Sequence, residues 1–144
     1  MRALLDVNVL IALLDTAHVH HRLATTWLTR ELKLGWASCP ITQLGCVRIM
    51  SQPAYPAALR AGDIAARLGE ACAHPAHEFW PDSVDLMGGT SVNWTHVLGH
   101  RQVTDTYLLA LAVKNQGRMV SFDRRISPTA VEHAKPENLV VISA

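Results

Sequence analysis

Three aspartates lie within or directly beside apolar segments that are predicted to be buried. Asp6 interrupts the apolar run 3–12, Asp105 falls in the first turn of a predicted helix, and Asp123 follows a predicted buried strand. Burying an unpaired carboxylate is expensive, and a bound cation is one common compensation. Ligands made only of carboxylate oxygens suit a hard ion, Mg²⁺ or Mn²⁺, rather than Zn²⁺.

Each aspartate also has a purely structural explanation. Asp6 could cap the first helix, Asp105 could favour the dipole of its own helix, and Asp123 could pair with a neighbouring arginine in a turn. The cation hypothesis therefore depends on whether the three carboxylates lie at one place in the fold.

The elements that must position these side chains alternate along the chain. Strands are predicted at 2–6, 36–39, within 74–80, at 118–121 and at 139–142, and helices at 8–15, 19–32, 41–50, 56–72 and 104–115. Short apolar strands between helices are typical of a parallel sheet covered on both faces. We expect an α/β fold, a three-layer α/β/α sandwich with a central parallel sheet, formed as a single domain over residues 1–144. In such sheets ligands lie at the carboxyl ends of the strands, where Asp6, Asp105 and Asp123 would converge.

Finer features follow from local patterns. Asn8 is expected to cap the first helix. Helical spacing places Val19 and Leu44 on the buried sides of the second and third helices. Trp94, in a polar stretch, is the tryptophan expected to be most exposed.

Composition narrows the function classes. The formal net charge of +1 is not that of a strongly basic nucleic-acid-binding protein. If the chain binds nucleic acid, a local basic patch would have to contact the phosphates. No apolar run reaches the roughly 18 residues that span a bilayer, and no leader pattern is present, so we expect a cytoplasmic protein without membrane contact. The three cysteines are expected to be reduced thiols. The candidate phosphate contacts flank the acidic positions: Arg48, Arg101, Arg124 and Arg125.

Four segments, in this order, resemble the motifs of PIN-domain nucleases: 4–11, 40–49, 104–112 and 118–124. The segment 77–82 is similar to a subgroup of VapC-type toxins from bacterial toxin–antitoxin pairs. The resemblance implies a PIN-like fold and a Mg²⁺- or Mn²⁺-dependent endoribonuclease that cleaves structured RNA of the tRNA or rRNA class. It further implies a homodimer inhibited by a small cognate VapB-type antitoxin. Its catalytic set would be Asp6, Gln43, Asp105 and Asp123, with the metal on the three aspartates.

Gln43 departs from that family pattern, which usually has a glutamate at this position. An amide keeps an oxygen acceptor but loses the charge, so it is a poor general base and a weaker cation ligand. The chain is then either a natural variant with lower activity or altered metal affinity, or one into which Gln was introduced. A catalytically weak module that binds RNA or an antitoxin is the main alternative function. A phosphatase with Asp6 as nucleophile is a third hypothesis, weakened because Asn8 stands where the second aspartate belongs.

Overall fold

A computed structural model describes residues 1–57 and 59–144 of the chain. Its strands are β1 (Ala3–Leu5), β2 (Trp36–Ser38), β3 (His77–Phe79), β4 (Arg118–Ser121) and β5 (Leu139–Val141). All neighbouring pairs are parallel, in the spatial order β3-β2-β1-β4-β5. The predicted parallel sheet is confirmed, and β1, which leads to Asp6, lies at its centre.

Helices cover both faces of the sheet. They are α1 (Val7–Leu14), α2 (His21–Glu31), α3 (Pro40–Met50), α4 (Ala61–Cys72) and α5 (Val103–Lys114). Ala3 and Leu5 of β1 pack into the cluster that α1 to α4 form, whereas Leu4 packs into the cluster around α5. This alternation follows from the two-residue period of a strand, and it confirms the predicted three-layer α/β/α sandwich.

Several local predictions are wrong. Asp6, not Asn8, caps α1, because the helix begins one residue earlier than the pattern indicated. Val19 is 84% exposed because it precedes α2, and Leu44 is 69% exposed. Leu44 points outward because α3 turns Gly45 toward α1, where a Cβ at Gly45 would meet Val7 Cγ2 at 2.8 Å.

The predicted helix over 56–72 is also too long at its start. Pro56 and Ala57 form a turn, Ala57 has a positive φ of 55°, and α4 begins only at Ala61. Residue 58 of that prediction lies outside the described residues. Trp94 is partly exposed, as expected.

Two expectations concern features other than the sheet. Across residues 1–57 and 59–144, no helix combines the length and apolar character needed to cross a membrane. Cys39, Cys46 and Cys72 are free thiols, as the odd cysteine count predicted.

Candidate active site

Asp6 is anchored at the carboxyl end of the central strand. Its carboxylate accepts one hydrogen bond from the Val7 backbone N–H at 2.7 Å and another from Ser121 Oγ at 2.7 Å. Only 8% of the residue is exposed, and burial raises the pKa of Asp6 despite these two bonds. Asp6 is therefore the helix cap of the structural explanation and, at the same time, a carboxylate fixed at the sheet edge.

Ser121 connects two of the three aspartates. It ends β4 in a fully buried position, donates to Asp6 Oδ2, and accepts a hydrogen bond from the Asp123 backbone N–H at 3.0 Å. Sequence reasoning did not identify this residue. The signal available was a hydroxyl that ends an otherwise apolar strand, two positions before a candidate ligand.

Asp123 is held by an arginine two residues away. Its Oδ1 accepts from the Arg125 backbone N–H at 2.8 Å and from Arg125 Nε at 3.0 Å, and its Oδ2 accepts from Nη2 at 3.1 Å. These bonds hold the pKa of Asp123 below its usual range. The turn explanation proposed for Asp123 thus describes its local contacts correctly.

Asp105 has the opposite environment. It is half-buried in the first turn of α5, and among the described residues its carboxylate has no hydrogen-bond or ion-pair partner. Burial, followed by the charges of Asp6 and Asp123, raises the pKa of Asp105 to about 6, against a smaller opposing effect of Arg125. Ser121 links Asp6 to Asp123, and Asp105 and Asp123 line one open cavity, so the three carboxylates lie in one neighbourhood.

An open cavity of about 240 Å³ lies beside these carboxylates. Asp105 and Asp123 line it together with basic side chains from the segment before α5 and the turn after β4. Of the four arginines predicted to contact RNA, Arg101 and Arg125 line the cavity; Arg48 and Arg124 are not among its lining residues. The full lining is Leu98, Gly99, His100, Arg101, Gln102, Asp105, Asp123 and Arg125.

Gln43 is directed elsewhere. Its Nε2 donates to Ser38 Oγ at 2.9 Å, and Ser38 Oγ is also 2.8 Å from His77 Nε2. Gln43 lines a separate apolar groove between α3 and α4 rather than the cavity of Asp105 and Asp123. That groove is lined by Pro40, Gln43, Leu44, Val47, Ala65, Leu68, Gly69 and Cys72.

The donor chemistry suits a hard divalent cation, although no ready-made cage is present. Within the described ranges, no three His, Cys, Asp or Glu side chains are arranged closely enough to form a metal-binding group. Among the residues that the structure describes, however, Asp105 is a carboxylate without a partner beside two others, the situation that a cation relieves. Both oxygens of the third carboxylate, Asp123, are in contact with the Arg125 guanidinium.

Comparison with known proteins places this site in a family context. The chain is 46% identical to Ribonuclease VapC44 of Mycobacterium tuberculosis over 142 residues, which cover 99% of this chain and 100% of that protein. Ribonuclease VapC39 of the same organism is 44% identical over 131 residues, covering 90% of this chain and 94% of the relative. Ribonuclease VapC38 is 38% identical over 97% of this chain and 99% of its own length. The PIN domain family model matches residues 3–132, a range that includes all three aspartates and all but the last strand, and the chain therefore belongs to the PIN-domain family.

Proposed function

We propose that this protein is a divalent-metal-dependent endoribonuclease and the toxin of a toxin–antitoxin pair. The observation that carries the proposal is the convergence of three carboxylates at the carboxyl edge of the sheet: Ser121 links Asp6 to Asp123, and Asp105 and Asp123 line one cavity together with Arg101 and Arg125. The relatives named Ribonuclease VapC support the same activity. We assign it to one domain over residues 1–144, in the cytoplasm.

The protein side of the reaction follows from the geometry. Val7 N–H and Ser121 Oγ fix the orientation of the Asp6 carboxylate at the carboxyl end of β1. Arg101 and Arg125 line the cavity of Asp105 and Asp123, where a guanidinium can pair with an RNA phosphate in two-point geometry. Phosphate contacts of this kind position a nucleic acid without reading its sequence.

The cofactor proposed is Mg²⁺ or Mn²⁺, held by Asp6, Asp105 and Asp123. Such an ion, when bound, acidifies an attacking water and neutralises charge on the phosphoryl oxygens. The partners proposed with it are structured RNA of the tRNA or rRNA class, a small VapB-type antitoxin, and a second copy of the chain in a homodimer. The family resemblance and the relatives' names support these partners.

The test is cleavage of total RNA with Mg²⁺ or Mn²⁺, with cleavage ends mapped and an EDTA control. Asp6→Asn keeps the shape of the side chain but removes the charge, and we expect it to abolish cleavage. Asp63→Asn, an exposed aspartate in the first turn of α4, is the matched control and should cleave like wild type. Near wild-type, metal-dependent cleavage by Asp6→Asn would contradict the proposal.

A second candidate function is a PIN-fold module that binds RNA or an antitoxin and cleaves weakly. The specific observation in its favour is that Gln43 donates its amide to Ser38 and lies outside the cavity of Asp105 and Asp123. Its place in the catalytic set stays a prediction. Gln43→Glu restores the carboxylate usual in the family, and the exposed Gln52→Glu makes the same charge change as a control. A silent wild type that gains Mn²⁺-dependent cleavage only with Gln43→Glu would favour the binding module for the chain as it stands.

A further inference from the structure

We infer that Arg125 is an internal counter-cation of the acidic site, which a divalent ion must displace from Asp123 in order to bind. The inference deepens the proposed function, because it rests on the cation site proposed there. It assigns to Arg125 control over how tightly that site holds its metal.

The contact between Arg125 and Asp123 involves every oxygen of the carboxylate. Arg125 reaches both carboxylate oxygens of Asp123, with Nε 3.0 Å from Oδ1 and Nη2 3.1 Å from Oδ2, while its backbone N–H donates to Oδ1. A two-point guanidinium pair of this kind occupies the directions from which a carboxylate would also coordinate a metal. Cation and guanidinium therefore compete for the same oxygens.

The three carboxylates of the site differ in their partners. Asp6 is satisfied by neutral donors, Val7 N–H and Ser121 Oγ, and Asp105 has no partner among the described residues. In that part of the chain, Asp123 alone of the three forms a salt bridge. The Arg125 guanidinium also lowers the pKa of Asp105, so its charge acts on more than one carboxylate. A single guanidinium thus offsets part of the repulsion that a divalent ion would otherwise relieve.

The ion pair between Arg125 and Asp123 is exposed and can separate at little cost. The Arg125 side chain is 73% exposed, and exposed ion pairs add little to stability because water screens them. The pairing is local, since the two residues are separated by one position in the turn after β4, so release needs only a side-chain rotation. The rival explanation is an ordinary surface pair that stabilises this turn and leaves cation binding unaffected.

The experiment measures Mn²⁺ binding to the full chain without RNA, by calorimetry or by electron paramagnetic resonance of free Mn²⁺. Arg125→Gln removes the competitor, and we expect it to bind Mn²⁺ roughly 2- to 5-fold more tightly than wild type, the range that an exposed ion pair accounts for. Arg124→Gln is the matched control: it removes the same charge one residue away, from a side chain with no carboxylate contact among the described residues. Arg125→Lys keeps the charge but loses the two-point contact, so its affinity for Mn²⁺ should lie between those of wild type and Arg125→Gln.

Each outcome decides the question. Equal tightening by Arg125→Gln and Arg124→Gln would show only a general charge effect and would overturn the inference. Wild-type binding that Asp105→Asn abolishes, together with unchanged affinity in Arg125→Gln, would leave the proposed cation site standing and reject the role of Arg125. Absence of Mn²⁺ binding in wild type and every variant would reject both. Urea unfolding of each variant verifies that all are folded during the titration.

Discussion

Asp105→Asn should make the metal-free protein more stable, although it removes a proposed ligand. The carboxylate of Asp105 is half-buried beside Asp6 and Asp123, and among the described residues it has no partner that repays its desolvation. An isosteric amide keeps the shape of the side chain, carries no charge and ends the repulsion. The proposed site would thus be built at a cost in stability.

The magnitude follows from the pKa. Burial and like charges raise the pKa of Asp105 from 3.8 to about 6. A pKa difference of one corresponds to about 1.4 kcal/mol, so a difference of about two sets an upper bound of ~3 kcal/mol on the destabilisation at neutral pH. Because the group is only half-buried and is partly screened by water, we expect Asp105→Asn to add about 1–2 kcal/mol to the free energy of unfolding.

The stabilisation expected from Asp105→Asn depends on pH. A carboxyl whose folded pKa lies above its unfolded value disfavours folding when ionised in both states, that is, above about pH 6. As the pH falls from 6 to below 4, the folded protein takes up the proton first, so the penalty in wild type disappears. The advantage of Asp105→Asn should therefore be full at pH 7.5 and reduced to about a fifth at pH 4, where the unfolded carboxyl is still partly ionised.

The assay is urea unfolding with EDTA at both pH values, followed by the same measurement with Mn²⁺. Asp123→Asn is an opposite-sign control, because Arg125 lowers the pKa of Asp123 and its ionised form stabilises the folded state. Mn²⁺ should stabilise wild type by mass action and leave Asp105→Asn unaffected. A variant no more stable than wild type at pH 7.5, or an advantage as large at pH 4 as at pH 7.5, would refute the electrostatic reasoning.

Two further predictions concern the packing that supports the site. Ser121→Ala should lower the free energy of unfolding by about 1–3 kcal/mol, because it leaves a buried oxygen of Asp6 without its hydrogen-bond donor. It should also raise the pKa of Asp6 further. An unchanged midpoint of urea unfolding would show that water replaces the hydroxyl. Gly45→Ala should lower the free energy of unfolding by about 1–3 kcal/mol, since the added Cβ would meet Val7 Cγ2 at 2.8 Å. Gly62→Ala, whose added Cβ would point into open space, should instead stabilise α4 by up to about 1 kcal/mol. Thermal melts of the two glycine variants side by side decide this, and shifts of the same sign would contradict it.

The errors in the sequence analysis share a physical cause. Val19 and Leu44 have helical spacing, but their exposure depends on where α2 begins and on which face α3 turns to α1 at Gly45, and these are tertiary facts. Asn8 is a good capping residue, yet Asp6 precedes it and already satisfies the first helical N–H. Local propensity could not choose between two capping candidates that stand two positions apart.

The fold class follows from the order of apolar strands and helices along the chain. Apolar strands alternating with helices require a covered parallel sheet, and such a sheet gathers the residues after its strands at one edge, Asp6 and Asp123 among them. The contacts of each side chain at that edge depend on the assembled fold. Ser121 orients Asp6, Arg125 holds Asp123, Gln43 contacts Ser38, and Asp105 has no partner within residues 1–57 and 59–144. Periodicity encodes which face of an element is buried, but hydrogen-bond partners and pKa values depend on residues brought together from distant parts of the chain. The charge balance of the site, on which its affinity for a cation depends, is a property of that assembly.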